Sequence, residues 1–250
     1  MPAMIQIINL RKVYRVGKEK VVALSNINLA IEQGDVCCVL GTSGSGKSTL
    51  LNMLAGLEKP THGQVLIGGV DITKLNERRM TKFRQRYIGF VFQSYNLMND
   101  ISSLDNVAMP LTYRGVSKHK RNKMARSMLR QVGLGDRVKH RPNQMSGGQQ
   151  QRVGIARAFV SQPKIIFADE PTGNLDTKTT DTVMRMMVRM AKAIGQTLII
   201  VTHDREISEY CNRVITIVDG DIVDDRINER PKGAELESDD EEKTAAVAGA

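Results

Sequence analysis

The sequence contains no tryptophan, and aromatic residues make up only 4% of its 250 residues. Proteins that bind single strands of nucleic acid stack the bases on aromatic side chains, and such platforms are scarce here. We therefore expect no nucleic acid among the partners of this chain.

Cysteine is also scarce, with three residues in the whole chain, Cys37, Cys38 and Cys211. Two of them are adjacent, a spacing that suits neither a metal site nor a disulfide framework. Adjacent side chains on a strand point to opposite faces. We therefore predict that all three are reduced residues that pack in the core.

Long hydrophobic runs are absent, because stretches such as residues 198–201 end after a handful of apolar residues. A membrane-spanning helix needs about 20 of them. The first residues, Met-Pro-Ala-Met-Ile-Gln, have neither the charged lead nor the apolar core of a signal peptide. We expect a cytosolic protein whose work at a membrane, if it has any, depends on another polypeptide.

The charge is positive overall but unevenly distributed. The chain has 36 basic and 27 acidic residues, a net charge of +9, whereas residues 229–250 hold 7 acidic and 3 basic ones. We predict a folded domain over residues 1–228 and an acidic, disordered tail over residues 229–250. The basic patches at residues 78–86, 118–130 and 137–141 are compatible with nucleic acid, nucleotide phosphate or an anionic membrane surface, and charge alone does not distinguish these.

Apolar patterns and turn residues alternate between strand and helix. We predict strands at residues 4–10, 20–31, 35–40, 63–67, 70–72, 88–92, 164–168, 197–201, 214–218 and 222–223. We predict helices at residues 47–57, 149–159 and 177–194 and a short one before residue 211. Such alternation is typical of an α/β fold with a mostly parallel sheet covered on both faces. Helical patterns without a strand in the middle of the chain indicate an inserted helical subdomain at about residues 94–160.

A glycine-rich segment links the strand at 35–40 to the next helix and fits the phosphate-loop pattern G-x-x-x-x-G-K-[ST]. Its residues are Gly41, Thr42, Ser43, Gly44, Ser45, Gly46, Lys47 and Ser48. Glycines let main-chain N–H groups converge on phosphate oxygens at a helix N-terminus. Lys47 is suited to the β- and γ-phosphates of a nucleotide, and Ser48 to Mg²⁺. We include Thr49, the next residue, among the nucleotide-binding positions.

Two adjacent carboxylates follow the apolar strand at 164–168. A parallel sheet binds its ligands at the carboxyl ends of its strands, so Asp169 and Glu170 are expected there. Asp169 is suited to hold Mg²⁺ through its water shell, and Glu170 to act as general base towards an attacking water. Together with the phosphate loop, they predict an ATPase that uses ATP and Mg²⁺.

The segment Met145-Ser146-Gly147-Gly148-Gln149, followed by Gln-Gln-Arg, resembles the signature sequence of ATP-binding-cassette (ABC) ATPases, which usually begins with Leu. The resemblance covers residues 4 to about 224, with every family motif present. It implies a P-loop NTPase (RecA-like) core with an antiparallel β subdomain and an inserted α-helical subdomain. Met in place of Leu at 145 keeps an apolar side chain of similar volume, so we expect little effect.

The resemblance also implies further site residues. Tyr14 matches the aromatic residue that stacks on adenine. Gln93 matches a Gln that senses the γ-phosphate and faces the permease, a catalytic and metal-contacting position. His203 matches a His that contacts the γ-phosphate. Residues 174–176 match the loop that touches the opposite subunit. Ser146, Gly147, Gly148 and Gln149 match residues that cap the γ-phosphate held by a second copy, so that two ATP molecules lie in a head-to-tail homodimer.

Residues 89–97 and 168–176 are similar to those of the lipoprotein-release, macrolide-export and antimicrobial-peptide-export ATPases. That similarity implies a separate four-helix permease with a large extracytoplasmic domain, and a position at the cytoplasmic face of the inner membrane. The groove that meets the permease would be lined by residues 94–110.

Four other functions fit parts of the pattern. An ABC ATPase for DNA repair would insert long coiled coils, and one for translation would carry two fused cassettes; the chain has neither feature. An ABC ATPase that signals through a permease-like partner to cell-envelope enzymes, without transport, stays open. A nucleotide-binding regulator without turnover has no use for Glu170.

Overall fold

A computed structural model describes residues 3–232. The chain forms ten strands and seven helices in these residues. The strands are β1 (Ile5–Val16), β2 (Glu19–Ile31), β3 (Val36–Leu40), β4 (His62–Ile67), β5 (Val70–Asp71), β6 (Ile88–Phe92), β7 (Ile165–Asp169), β8 (Thr197–Thr202), β9 (Arg213–Val218) and β10 (Asp221–Ile227). The helices are α1 (Lys47–Leu54), α2 (Glu77–Tyr87), α3 (Ser103–Tyr113), α4 (Lys118–Gln131), α5 (Gly147–Phe159), α6 (Thr177–Ala193) and α7 (Arg205–Ser208). Short 3-10 turns lie at Ile72–Lys74 and Pro142–Gln144.

The strands form two sheets. The larger one has the order β10-β9-β3-β8-β7-β6, in which only the β9–β10 pair is antiparallel. The smaller one, β2-β1-β4-β5, is antiparallel throughout. The predicted fold class, a mostly parallel core with an antiparallel β part, is confirmed.

The larger sheet is covered on both faces, and the two adjacent cysteines show how. Cys38 points into a core built with α3 to α7, whereas Cys37 points into a second core built with α1, α2 and the antiparallel sheet. All three cysteines are free and buried. Their prediction as reduced packing residues on opposite faces of a strand is therefore confirmed.

Three helices, α3, α4 and α5, lie between β6 and β7, where the sequence predicts a helical insert. The domain limits stay predictions. At the start of the predicted tail, Pro231 is buried and the main-chain N–H of Lys232 donates to the carbonyl oxygen of Glu209 at 2.7 Å. The rest of that tail, residues 233–250, lies outside the described residues.

Strand β1 and helix α2 differ most from the sequence prediction, the first in its length and the second in its existence. Strand β1 runs on to Val16, because its charged second half pairs with β2 around a turn at Gly17 (φ 63°). Helix α2 was missed, since its sequence is mostly charged. It begins at the N-cap Asn76, whose side chain accepts from the N–H of Arg79, and it buries Met80 and Phe83.

No helix in residues 3–232 combines the length and apolar character that a membrane crossing requires.

Candidate functional site

The phosphate loop joins β3 to α1. Gly46 is the N-cap of α1 with φ 101°, and a Cβ at this position would lie 2.5 Å from the carbonyl oxygen of Ala23, so a side chain does not fit. No side-chain hydrogen bond caps this helix. Its first N–H groups are therefore available to bind an anionic ligand, as the phosphate-loop prediction requires.

Lys47 is folded over the loop that precedes it. Its side chain is 7% exposed, and Nζ donates to the carbonyl oxygen of Thr42 at 2.7 Å. Burial lowers the pKa of Lys47, and the nearby Glu170 and Asp169 oppose that shift. The hydroxyl of Ser45 is buried without a hydrogen-bond partner in the described part of the chain. A buried cation and an unpaired hydroxyl in one loop suit a charged ligand with many acceptor oxygens.

Asp169 and Glu170 lie at the carboxyl end of β7. Strand β8 separates β7 from β3, which carries the phosphate loop. Burial, followed by repulsion from Glu170, raises the pKa of Asp169, and Lys47 opposes that shift. Glu170 has φ 44°, a left-handed conformation that costs a non-glycine residue about 1–2 kcal/mol. Its N–H donates to the carbonyl oxygen of Val201 on β8 at 2.9 Å, which helps to hold it there.

The end of β8 orients the Glu170 carboxylate. The Thr202 hydroxyl donates to Oε2 at 2.9 Å, and the main-chain N–H of His203 donates to Oε1 at 3.1 Å. The His203 Nδ1 lies 2.7 Å from the same Oε1. The sequence predicted Glu170 as a general base and, through the family resemblance, His203 as a contact of the γ-phosphate, but it gave no sign that His203 and Thr202 hold the Glu170 carboxylate.

A cavity of about 640 Å³ opens where these segments meet. It is lined by Leu40, Gly41, Thr42, Ser43, Gly44, Lys47, Ser48, Gln93, Glu170, His203, Arg205, Thr216 and Val218. Nine of these are predicted site residues. Leu40, Arg205, Thr216 and Val218 were not among the predicted site residues. Arg205 could have been found as a cation two residues after His203, whereas the β9 residues come to the site only because β9 is parallel to β3.

The side chains here fit Mg²⁺ only with help from a ligand. The described residues contain no group of three or more His, Cys, Asp or Glu that could hold a metal. The predicted donors are the Ser48 hydroxyl, the Gln93 amide and the Asp169 carboxylate. Mg²⁺ commonly keeps several waters and binds through one or two carboxylates plus substrate phosphates, so this sparse set fits a nucleotide-bound ion.

Gln93 sits at the end of β6, beside the loop that follows Glu170. Its carbonyl oxygen accepts from the Asn174 side chain at 3.0 Å, and a Cβ on Gly173 would lie 2.7 Å from its Nε2. The structure therefore brings together the predicted γ-phosphate sensor and the segment that the resemblance places against a second subunit.

Tyr14 is half-buried and does not belong to the residues that line the cavity. Its hydroxyl donates to Glu58 Oε2 at 2.8 Å, and Lys12 Nζ lies 4.9 Å from the centre of its ring. Burial, together with the bond to Glu58, raises the pKa of Tyr14, and a hydrogen bond with Thr49 opposes this. The contact with Thr49 places Tyr14 beside the start of α1, so its assignment to the adenine stays a prediction.

The signature segment lies apart from the cavity and begins α5, two residues earlier than predicted. Ser146 is its exposed N-cap, and Ser146 and Gln149 each accept from the other's main-chain N–H, at 3.4 and 3.1 Å. A Cβ on Gly148 would lie 2.8 Å from Thr179 on α6. Ser146, Gly147, Gly148 and Gln149 therefore do not line the cavity that the phosphate loop of this chain forms.

Comparison with known proteins gives the family. A profile described as ABC transporter matches residues 24–173. An uncharacterized ABC transporter ATP-binding protein of Thermotoga maritima is 46% identical over 89% of this chain and 94% of its own. The lipoprotein-releasing system ATP-binding protein LolD of Geobacter metallireducens is 43% identical over 90% of this chain and 100% of its own. The macrolide export ATP-binding/permease protein MacB of Chlorobaculum tepidum is 46% identical over 89% of this chain, which spans only 34% of MacB.

A solved structure is similar throughout. It is a dimeric post-hydrolysis state of the ATP-binding cassette MJ0796 bound to ADP and Pi, with a TM-score of 0.84, 40% identity, and coverage of 90% of this chain and 98% of that one. The family and the fold predicted from the phosphate loop and the signature are confirmed. The chain belongs to the ABC transporter family and is one of its ATP-binding, ATP-hydrolysing cassettes.

Proposed function

We propose that this chain hydrolyses ATP between two copies of itself and so drives a separate transmembrane permease. The observation that carries the proposal is the placement of the Glu170 carboxylate, held by Thr202 and His203, in the same cavity as the phosphate loop and Lys47.

The phosphate loop binds the triphosphate. Lys47 and Ser48, at the start of α1, line the same cavity as Glu170 and His203. Binding to phosphate replaces the bond between Lys47 and the Thr42 carbonyl oxygen. An anionic partner favours the charged lysine and so offsets the effect of burial, which lowers the pKa of Lys47.

Glu170 is oriented to accept a proton from water. A carboxylate has about four lone-pair sites, and three donors, from Thr202 and His203, already surround this one. The remaining site is fixed in direction by those bonds. Glu170 thus takes the proton of a water that attacks the γ-phosphorus, and His203 holds the carboxylate beside that phosphate.

Ser48, Gln93 and Asp169 would hold Mg²⁺ beside the nucleotide. The ion supplies positive charge against the β- and γ-phosphate oxygens. Its charge also favours the ionised form of Asp169, whose pKa is raised by burial and by Glu170.

A second copy completes the site. The exposed Ser146 and the N-terminus of α5 do not line the cavity of this chain's own phosphate loop. They are the anion-seeking groups that a two-fold related copy would bring to it. A head-to-tail pair then encloses two ATP molecules, and loss of the γ-phosphate releases it.

Replacing Glu170 by Gln tests the proposal. The Gln keeps the shape but cannot accept the proton, so turnover should fall by about 100-fold to 10,000-fold, with ATP affinity retained. Gel filtration with ATP and Mg²⁺ should show a dimer that ADP does not support. Glu32→Gln, at an exposed carboxylate beyond the opposite end of the sheet, is the control. Near-normal turnover of the Glu170 variant, or a monomer with ATP, contradicts the proposal.

A docking groove for the permease would lie on the loop after Gln93. Met98 is 51% exposed, while its main-chain N–H and carbonyl both bond to the side chain of the fully buried Asn106, at 2.9 and 3.0 Å. An apolar side chain presented by a fixed loop suits a short cytoplasmic helix of a membrane partner. Leu97, Leu104 and Val107 instead pack in the core around α3. On this proposal the cassette works at the cytoplasmic face of the inner membrane, as part of an exporter of the four-helix type.

Met98→Glu should leave ATP hydrolysis by the isolated subunit intact and abolish capture of the permease from detergent-solubilised membranes. Ile227→Glu, a matched charge at a side chain 67% exposed on the far edge strand β10, should change neither. Capture of the permease at the unmodified level by the Met98 variant would place the groove elsewhere.

A further inference from the structure

Gln151 lies on α5, five residues after Ser146, and its side chain is fully buried. Its Nε2 donates to the carbonyl oxygen of Pro171, in the loop that follows β7. Its Oε1 is buried without a partner among residues 3–232. An apolar side chain of the same size would avoid the unpaired oxygen but would leave the Pro171 carbonyl without this donor, so the role of the glutamine at this position lies in its bond to that carbonyl.

The Pro171 carbonyl follows directly on the strained residue of the site. Glu170 has φ 44° and is held from β8 by its bond to Val201, and from its own loop by the N–H of Gly173, which donates to the Glu170 carbonyl oxygen at 3.2 Å. Pro171 has no N–H, so its carbonyl is its only main-chain hydrogen-bonding group. Through this bond, α5 restrains the loop that follows β7.

The other end of α5 carries the signature. Ser146 and Gln151 are separated by about 7.5 Å along the helix axis, and the first turn is closed by a main-chain bond from the N–H of Gln150 to the carbonyl oxygen of Ser146 at 2.9 Å. Because such main-chain bonds join each turn to the next, a helix this short shifts as a unit. A displacement of Ser146 therefore carries Gln151 and the Pro171 carbonyl with it.

We propose that Gln151 is a positioning residue that couples the signature end of α5 to the general base. In this arrangement, contact of Ser146 with the nucleotide of a second copy sets the loop that places Glu170, so that the water is activated only when the dimer is closed. The inference rests on the proposed role of Glu170, and it adds a route by which one subunit controls hydrolysis in the other.

The chain offers a matched comparison. Gln196 is 3% exposed, its Nε2 donates to the carbonyl oxygen of Pro163 at 2.6 Å, and its Oε1 is also buried and unpaired within the described residues. This bond lies at the amino ends of β7 and β8, at the end of the sheet opposite the cavity. The same pair of groups therefore occurs once beside Glu170 and once far from it.

The test compares Gln151→Leu with Gln196→Leu. Both changes keep the side-chain volume similar and remove one hydrogen bond from a glutamine amide to a proline carbonyl, so their effects on melting temperature should be similar. Only Gln151→Leu should lower kcat, by about tenfold (about 1.4 kcal/mol), with the KM for ATP and ATP binding unchanged. An unchanged kcat in Gln151→Leu, or an equal loss in both variants, overturns the proposal.

A double substitution tests the coupling itself. If Gln151 transmits the signature contact, Ser146→Ala with Gln151→Leu should reduce kcat no further than the more damaging single change. Multiplied effects would show that the two residues act independently and would overturn the coupling. The turnover of Glu170→Gln serves as the background and is subtracted from every measurement. If Ser146→Ala falls to that background, Ser146→Thr, which keeps the capping hydroxyl, takes its place. A failure of Glu170→Gln itself would instead contradict the proposed function.

Discussion

At the carboxyl ends of the parallel strands several non-glycine residues adopt left-handed backbone conformations, whereas at the amino ends such residues are fewer. Non-glycine residues with positive φ near the carboxyl ends are Tyr95, Asn96, Glu170 and Asp219, whereas Gln162 lies near the amino ends. Strain of this kind persists only where surrounding contacts enforce it, and it concentrates at functional sites.

Polar groups at the two ends differ in the same way. At the amino ends, Asn212 accepts from the N–H of Val36 at 2.7 Å and donates to Asp35 at 3.2 Å, and the Thr197 hydroxyl pairs with Gly34 and Glu32. At the carboxyl ends, Lys47 and Asp169 both have a pKa shifted by burial towards the neutral form. One end of the sheet is arranged for stability, and the other holds charge that a ligand stabilises.

The largest expected effect is at Lys47. Lys47→Met keeps the volume and removes the cation from the phosphate loop, so ATP turnover should fall by about 100-fold or more. Folding lowers the pKa of this lysine, so its charge destabilises the nucleotide-free protein at pH values where it is protonated. The melting temperature without nucleotide should therefore not fall. Normal turnover in steady-state kinetics would remove Lys47 from the site.

Asn212→Ala should have the opposite result. It leaves the Val36 N–H without its acceptor, which should lower the free energy of unfolding by about 1–3 kcal/mol. Turnover per folded molecule should not change, because Asn212 lies at the amino ends of β3 and β9. Urea denaturation and steady-state kinetics on the same sample separate the two quantities. A loss of activity without a loss of stability would break the contrast between the ends.

Asp169→Asn should stabilise the nucleotide-free protein at neutral pH. The pKa of Asp169 is raised in the folded state, so its contribution to stability is full below the ordinary aspartate pKa and is lost as the pH rises through the raised value. The variant should therefore melt at a higher temperature than the unmodified protein at pH 7. The gain should shrink as the pH falls. The control Asp100→Asn changes an exposed carboxylate, and an equal gain there would contradict this explanation.

Met145→Leu should have the smallest effect. Met145 is 9% exposed and its sulfur lies 3.2 Å from the Ser103 hydroxyl, so the change replaces one well-packed apolar side chain by another. A volume-conserving change of this kind costs less than about 1.5 kcal/mol, and turnover should be retained. A large loss of activity would show that the sulfur contact positions the signature.

Much of the fold and the site could be predicted because local sequence determines them. The phosphate loop needs glycine and lysine at fixed spacing between a strand and a helix, and the run before Asp169 and Glu170 has a buried strand's pattern. Helix α2 was missed because its charged residues hid two apolar positions, Met80 and Phe83. The N-cap Asn76 was a signal that could have revealed it.

The rest of the site depends on tertiary contacts. Thr202 meets Glu170 because β7 and β8 are neighbours, and Thr216 reaches the cavity because β9 lies next to β3. Gln151 and Pro171 are twenty residues apart on different elements. No residue type or spacing records such contacts in a single sequence, and the family resemblance identified motif positions without the partners that orient them.

The capping box at Ser146 affects how long two cassettes stay together. Because Ser146 and Gln149 already satisfy each other's main-chain N–H groups, a lone subunit has a finished helix end there. A phosphate that recruits the serine must compete with this cap, so only the difference between the two sets of bonds favours association. When the phosphate leaves, the cap closes again within its own turn, without waiting for a partner. If Ser146 joins the copies as proposed, its cap thereby speeds their dissociation, which lets the cycle repeat.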